Sequence, residues 1–275
     1  MQTGLVFVSV VVAALAGLVQ IELPGWADAP PAGGPLAPQV VRLDPTPFEH
    51  RLDGEWKRDG LPADAPRVVV SIPAPVDIMA LPVSHGDWMA CVADGACAAP
   101  GQIAADPDLP VTAVNWYDAQ AYAAWLSDRT GQTWRLPTDV EWAYAAADLF
   151  RDDALGVESD PANPATRWLA EYQRESARSR DLDRALRPVG RLNVNALGVH
   201  DIGGAVWEWT STCLRRGEID AEGRILREAE SCGIYIAEGL HRAAMIDFVR
   251  DPKSGGCSVG VPPANLGFRL VRARG

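Results

Sequence analysis

Tryptophan and glycine recur together in three widely separated segments, and that recurrence constrains the chain more than any other feature. The segments are WRLPTDVEW at 134–142, DIGGAVWEWT at 201–210 and NLGFR at 265–269. Large aromatics need a dry interior, and a chain whose apolar runs are short and broken by Gly, Pro and Ser must build that interior from many brief elements. Trp116, Trp125, Trp134, Trp142, Trp207 and Trp209 are therefore read as core residues. The competing reading places them along a sugar- or peptide-binding groove.

Two helices are legible. Over 115–130, Ala119, Tyr122, Ala123 and Leu126 recur at helical spacing, Asn115 is placed to cap, Asp118 falls in the first turn and Gly131 follows the last. A second helix is expected from Thr138, whose hydroxyl can accept from the amide of Glu141 while the Glu141 carboxylate reaches back. It should run through Trp142 and Tyr144 to about Leu149. Residues 167–186 mix Trp168, Leu169 and Tyr172 with many charges, which predicts an exposed, charge-laced helix or a helix with a loop. Strands are expected at 68–72, 206–210, 234–237 and 266–271, short runs between turn-forming clusters. Residues 30–66 read as a linker and N-terminal extension, because 29–47 are rich in Pro, Gly and Ala without apolar periodicity. The folded domain is then expected over 67–275.

With 48% hydrophobic and 22% charged residues in 275, the composition is that of a globular protein. A net charge of −11 argues against nucleic acid as a partner, since phosphates would be repelled. The run from Leu5 to Val19 holds only Ser9 as a polar residue, so residues 1–29 read as a signal peptide, with Ala27 and Ala29 flanking a cleavage site, or as an uncleaved anchor. No Lys or Arg precedes Arg42, which places the body in the periplasm or otherwise outside the cytoplasm. Contact with a membrane is expected only through this segment, if it is retained.

Five cysteines leave one sulfur over in an oxidising compartment. The most economical scheme joins Cys91 to Cys97 and Cys213 to Cys232 and leaves Cys257 free; spacing alone leaves the other schemes open. His50, His85, His200 and His241 are scattered without the spacing of a common metal site.

Taken in order, the three tryptophan and glycine segments resemble the formylglycine-generating enzyme (sulfatase-modifying factor) family, whose fold is an elaborated relative of the C-type lectin fold. The resemblance implies an α+β, loop-rich domain with two main helices and short strands. Its oxidase members work through two reactive cysteines, four residues apart in the intervening sequence, just upstream of the NLGFR segment. The corresponding stretch here, 239–250, contains no cysteine. The oxidase mechanism is therefore not expected to transfer.

The resemblance further implies a structural Ca²⁺ near a Gly-Asn-Val-Trp-Glu segment. Here Ala205 replaces the Asn, leaving Asn195, Asp201 and Glu208 as the candidate oxygen ligands. Cys257 lies in a glycine-rich stretch just before NLGFR and is read either as a reactive or metal-binding thiol with His241 as neighbour, or as an inert free cysteine. Copper or iron stay open as cofactors on the first of these readings. Arg269 is expected to form a structural ion pair with an acid such as Glu141 or Glu208. The later part of the chain, including 167–172 and 248–272, resembles the NirV subgroup, whose members accompany copper nitrite reductase in denitrifying bacteria.

These readings converge on an exported accessory or maturation protein whose cleft holds a segment of a protein partner. Two alternatives remain: a metal- or thiol-dependent oxidative protein-modifying enzyme centred on Cys257, and a lectin-like module that binds a peptide or glycan.

Overall fold

The computed structural model describes residues 38–99, 104, 106–181, 185–204, 206–251 and 265–273. Six short strands come first: β1 (Val40–Leu43), β2 (Phe48–Arg51), β3 (Glu55–Arg58), β4 (Leu61–Ala63), β5 (Arg67–Val70) and β6 (Val76–Met79). Helix α1 (His85–Ala93), helix α2 (Trp116–Thr130), strand β7 (Trp134–Arg135), helix α3 (Asp139–Ala146) and helix α4 (Ala165–Asp181) follow. The chain then forms the long strands β8 (Trp207–Ile219) and β9 (Ile225–Glu238), and the short strands β10 (Ala243–Ile246), β11 (Leu266–Gly267) and β12 (Val271–Ala273).

Three of the helices begin with reciprocal capping boxes, in which two otherwise orphaned amides are satisfied at each start. Ser84 and Asp87 cap α1, Asn115 and Asp118 cap α2, and Thr138 and Glu141 cap α3. Helix α2 ends on Gly131 in the left-handed conformation, its amide donating to Ser127. Helix α3 stops at Ala146 and passes into a single 3₁₀ turn, Ala147–Leu149. Among the described residues there are four α-helices, where two main helices and a charge-laced third were expected. Helix α1 was missed because it spans nine residues, too short to establish a period, although its box is present in the sequence.

Helix α4 occupies the segment predicted as charge-laced, but its charges face the protein. Arg167 pairs with Asp64, and Arg174 donates to the Asp153 carbonyl, while Trp168 and Tyr172 stack on one another at 5.8 Å on the exposed side.

The strands form three sheets. One has the order β1-β6-β12-β7, one pairs β2 with β5, and the largest runs β10-β9-β8-β3-β4 with β11 added alongside β8. The β8–β9 hairpin is antiparallel, whereas β3 and β11 join β8 in parallel. Strands β8 and β9 outrun the apolar stretches that announced them. Beyond Thr210 and before Ile234 only Leu214 and Ile219 are buried and the rest are half-buried or exposed, so ladder hydrogen bonds more than hydrophobic alternation define their length.

The linker expectation for 30–66 fails from residue 38 onward. Strand β1 pairs with β6, β2 with β5 and β3 with β8, and the compact unit starts at residue 36 rather than 67. Composition concealed this because the segment is held by backbone pairing and by a few inward side chains, Leu43, His50, Leu52 and Trp56, instead of a periodic apolar face. A glycine is required at its turn: Gly54 has φ +94°, and a Cβ there would meet the Arg215 carbonyl oxygen at 1.9 Å.

Trp88, Trp142, Trp207 and Trp209 are fully buried, and Trp125 and Trp134 nearly so. They belong to the core rather than to an open groove. Trp116 is only partly buried and stacks on Tyr235 at 4.2 Å. Among the described residues no helix is long and apolar enough to cross a membrane. The proposed signal or anchor at 1–29 lies outside them.

Candidate functional site

The three tryptophan and glycine segments meet at one carboxylate. Arg269 donates from Nε to Oε2 of Glu208 at 2.6 Å and from Nη2 to Oε1 at 2.7 Å, and Trp142 Nε1 donates to Oε2 at 2.8 Å. The remaining Arg269 donors reach the carbonyls of Met79, Ala80 and His200. All three side chains are buried, so a bidentate, planar pairing supplies the solvation that water would otherwise give. Of the two acids considered for Arg269, Glu208 takes it; Glu141 is instead held by Arg135 and by the Thr138 amide.

That pairing bears on the calcium set. Glu208 is neutralised by Arg269. Asp201 accepts from the amides of Gly190, Leu192 and Asn193. Asn195 Oδ1 accepts from Leu197 and Val199 while its Nδ2 donates to Ala145. Glu208 is thus satisfied by a guanidinium and an indole, and Asp201 and Asn195 by amides of the surrounding loop, so the oxygens expected for a hard cation are already engaged. Ala205 lies outside the described residues. The expected Ca²⁺ ligands therefore do not fit the ion.

The described cysteines form two bridges, Cys91–Cys97 with Cα atoms 5.3 Å apart and Cys213–Cys232 with Cα atoms 4.8 Å apart. The first ties the C-terminal end of α1 to the turn that follows it. The second crosses the β8–β9 hairpin where the register shifts on either side of Cys213. Among the described His, Cys, Asp and Glu, the one group of three or more whose ligand atoms all lie within 4.8 Å of one another is Cys213, Glu230 and Cys232, and the two sulfurs there are bonded to each other. They offer no thiolate in this state.

The stretch 239–250 carries β10. Met245 and Ala243 are buried, Arg242 turns inward, and the His241 ring packs edge-on against Trp207 at 5.1 Å. No sulfur but that of Met245 stands on this stretch. Cys257, the thiol expected beside His241, lies outside the described residues.

A polar cavity of about 420 Å³ opens between β5, the start of α3 and the irregular part of β8. Leu52, Val70, Ile72, Pro73 and Val140 supply apolar wall; Asp53, Asp139, Glu230 and Arg215 supply charge. Asp53 and Asp139 are each 2% exposed. Behind them His50 Nε2 lies 2.7 Å from Asp139 Oδ2, and Arg242 Nε lies 2.8 Å from Glu238 Oε1 and 3.3 Å from Asp139 Oδ1. An ionised carboxylate can only accept, which places the shared proton on His50 Nε2.

The electrostatics of this cluster are uneven. Burial works against ionisation of Asp139, yet Arg242, the Glu238 hydrogen bond and His50 together hold its carboxyl well below the ordinary range. Burial pushes Glu238 well above that range, more than Arg242 draws it back, so Glu238 keeps its proton beside ionised Asp139. Asp53 is pushed up to about 6 by burial first and by the Asp139 charge second, against the pull of Arg242 and Arg215. Sequence reading missed this cluster entirely. His50 and Asp53 sat in the segment taken for a linker, and nothing in a sequence marks a charged residue as buried.

The chain matches the family model of the sulfatase-modifying factor enzyme 1-like domain over residues 27–274. It belongs to that family. It is 28% identical over 171 residues to the inactive C-alpha-formylglycine-generating enzyme 2 of Bos taurus, covering 61% of this chain and 52% of that protein. It is 36% identical over 111 residues to the formylglycine-generating enzyme of Mycobacterium tuberculosis, covering 38% and 33%. With the hercynine oxygenase of Mycolicibacterium thermoresistibile it shares 30% identity over 232 residues, covering 70% and 48%. The chain thus spans about half the length, or less, of these curated relatives. Among solved structures, PvdO from Pseudomonas aeruginosa superposes with a TM-score of 0.53 at 21% identity, covering 86% of this chain and 95% of that one, a likeness of fold alone.

Proposed function

We propose that this protein is an exported accessory or maturation factor that uses a sulfatase-modifying-factor scaffold to hold a segment of a protein partner and does not convert cysteine to formylglycine. The observation that carries this reading is an account of sulfur. Four of the five cysteines are bonded in pairs, and the stretch where the resemblance locates two reactive thiols holds none. One remaining thiol, Cys257, cannot by itself form a two-thiolate copper site or a thiol relay within one chain. Similarity to proteins named inactive C-alpha-formylglycine-generating enzyme 2 supports the same reading. The NirV-like features of 167–172 and 248–272 favour a partner in denitrification, copper nitrite reductase being the first to test. Two disulfides suit the oxidising compartment that export implies.

The test is direct. Purified protein, loaded with Cu⁺ under reducing conditions and then exposed to oxygen, is incubated with a cysteine-type sulfatase peptide, and the product is read by mass spectrometry and aldehyde-specific labelling. No aldehyde is expected, and aldehyde formation at catalytic turnover would overturn the reading. Similarity to proteins named hercynine oxygenase favours a second reading, an oxidation run from Cys257; loss of bound copper or iron in Cys257→Ala would favour it.

A further inference from the structure

The cavity beside the β8 irregularity has the make-up of a receptor for one kind of group, and nothing above assigns it a ligand. Its walls are aliphatic where Leu52, Val70, Ile72, Pro73 and Val140 face it, and its floor and rim are anionic. Three carboxyl residues, Asp53, Asp139 and Glu230, line it against one guanidinium, Arg215. That guanidinium is already engaged by Asp53 at 3.4 Å and by Glu228 at 3.0 Å. Asp139, on a side chain 3% exposed, has Arg242 Nε 3.3 Å from its Oδ1 and takes a hydrogen bond from the protonated Glu238 carboxyl, so it stays ionised at the inner end of the cavity. Thr138, Ser211 and Thr212 add hydroxyl oxygens at the same wall. An acidic cluster alone would mean little. Here the acids close one end of a cavity whose sides are apolar, which is the complement of an aliphatic stem ending in a cation.

We propose that this cavity binds an alkylammonium group, with the methylene chain between Val70, Ile72, Pro73 and Val140 and the ammonium donating to Asp53 and Asp139 under Glu230. Two sources share that chemistry: a lysine side chain presented by a protein segment, and a free diamine. A hydrated divalent cation suits the site less well. It would leave the aliphatic wall without a partner. The inference does not depend on the accessory role proposed above, because it concerns a different group of residues from the 239–250 stretch and a binding event rather than a reaction.

Isothermal titration of the full, oxidised protein with an acetylated and amidated Ala-Lys-Ala peptide tests the idea, with cadaverine and Ca²⁺ titrated in parallel. Saturable binding of one lysine peptide per chain is expected, weakened at least tenfold by Asp53→Asn and severalfold by Glu230→Gln, and abolished when the peptide lysine is N-acetylated. Glu230 is exposed and sits on a surface stretch of β9, so its variant keeps the test valid should Asp53→Asn fail to fold. Cadaverine binding with the same dependence on both carboxylates, and no gain from the peptide backbone, assigns the site to free amines and upholds the chemistry. Equal binding of the acetylated peptide, binding untouched by both variants, Ca²⁺ binding in place of either amine, or no binding of either amine at millimolar concentration overturns it.

Discussion

Replacing Arg269 by Met should remove the central tie of the fold, and the structure allows the loss to be sized. Arg269 and Glu208 are 0% and 1% exposed, so the substitution leaves a carboxylate in the interior with a single remaining side-chain donor, Trp142. Removing one member of a buried, hydrogen-bonded pair costs about 3–5 kcal/mol, since the charge left behind keeps its desolvation penalty and loses its partner. The carbonyls of Met79, Ala80 and His200 also lose a donor. At about 1.4 kcal/mol per factor of ten, the folded-to-unfolded ratio should fall by roughly two to four powers of ten. Urea unfolding followed by tryptophan fluorescence reads this directly, because Trp142 and Trp207 sit in the affected core. Two companions sharpen the result. The double variant Arg269→Met with Glu208→Gln should lose less than the sum of the single losses, because no uncompensated charge remains. Arg216→Met, which breaks an ion pair 50% and 63% exposed, should cost less than about 1 kcal/mol. A loss below about 1 kcal/mol for Arg269→Met, equal to the surface control, would refute the reasoning.

Further outcomes follow from the bridges and the buried acids. Under the chain-entropy account Cys213→Ser, which opens a loop of 19 residues, should destabilise by about 3 kcal/mol, and Cys91→Ser, with a separation of 6, by about 2 kcal/mol; thermal unfolding that ranks them the other way contradicts it. Titration with a thiol reagent in denaturant, without reductant, should find one thiol per chain, and three or more would show that a bridge is not formed. Asp53 should make the protein less stable as pH rises. Its folded-state value of about 6 exceeds the ordinary 3.8, so the folded state holds the proton more tightly, the contribution is full below about 4, and it is lost as pH climbs through 6. Asp139 adds to that upward shift while Arg242 and Arg215 oppose it. Asp53→Asn should therefore raise stability at pH 8 by up to about 3 kcal/mol and leave it nearly unchanged at pH 4, and equal gains at both values would show that titration of this group is not the cause.

What could be read without coordinates was local or chemical in kind. The boxes at Asn115 and Thr138 announced α2 and α3 because a cap needs only residues three apart. The absence of cysteine from 239–250 needed only the sequence. The tryptophan and glycine segments carried the family because each lies at a junction of the core. What was misread depended on pairing between distant segments. Residues 38–66 have no periodic apolar face, yet they are ordered by ladders to β5, β6 and β8, partners that composition cannot name. The calcium set came from the family resemblance, which pointed to Asn195, Asp201 and Glu208 around a segment where Ala205 replaces the Asn. Folding committed each of them elsewhere.

The sequence by itself settled which covalent chemistry this protein has the atoms for, since a residue type is present or absent at a position whatever the chain does next. Only the tertiary structure decided which charges are buried and against what. Burial is a relation among segments far apart in the chain: His50 meets Asp139 across 89 residues and Glu208 meets Arg269 across 61, and no local pattern encodes the low-dielectric surroundings that give those pairs their energy.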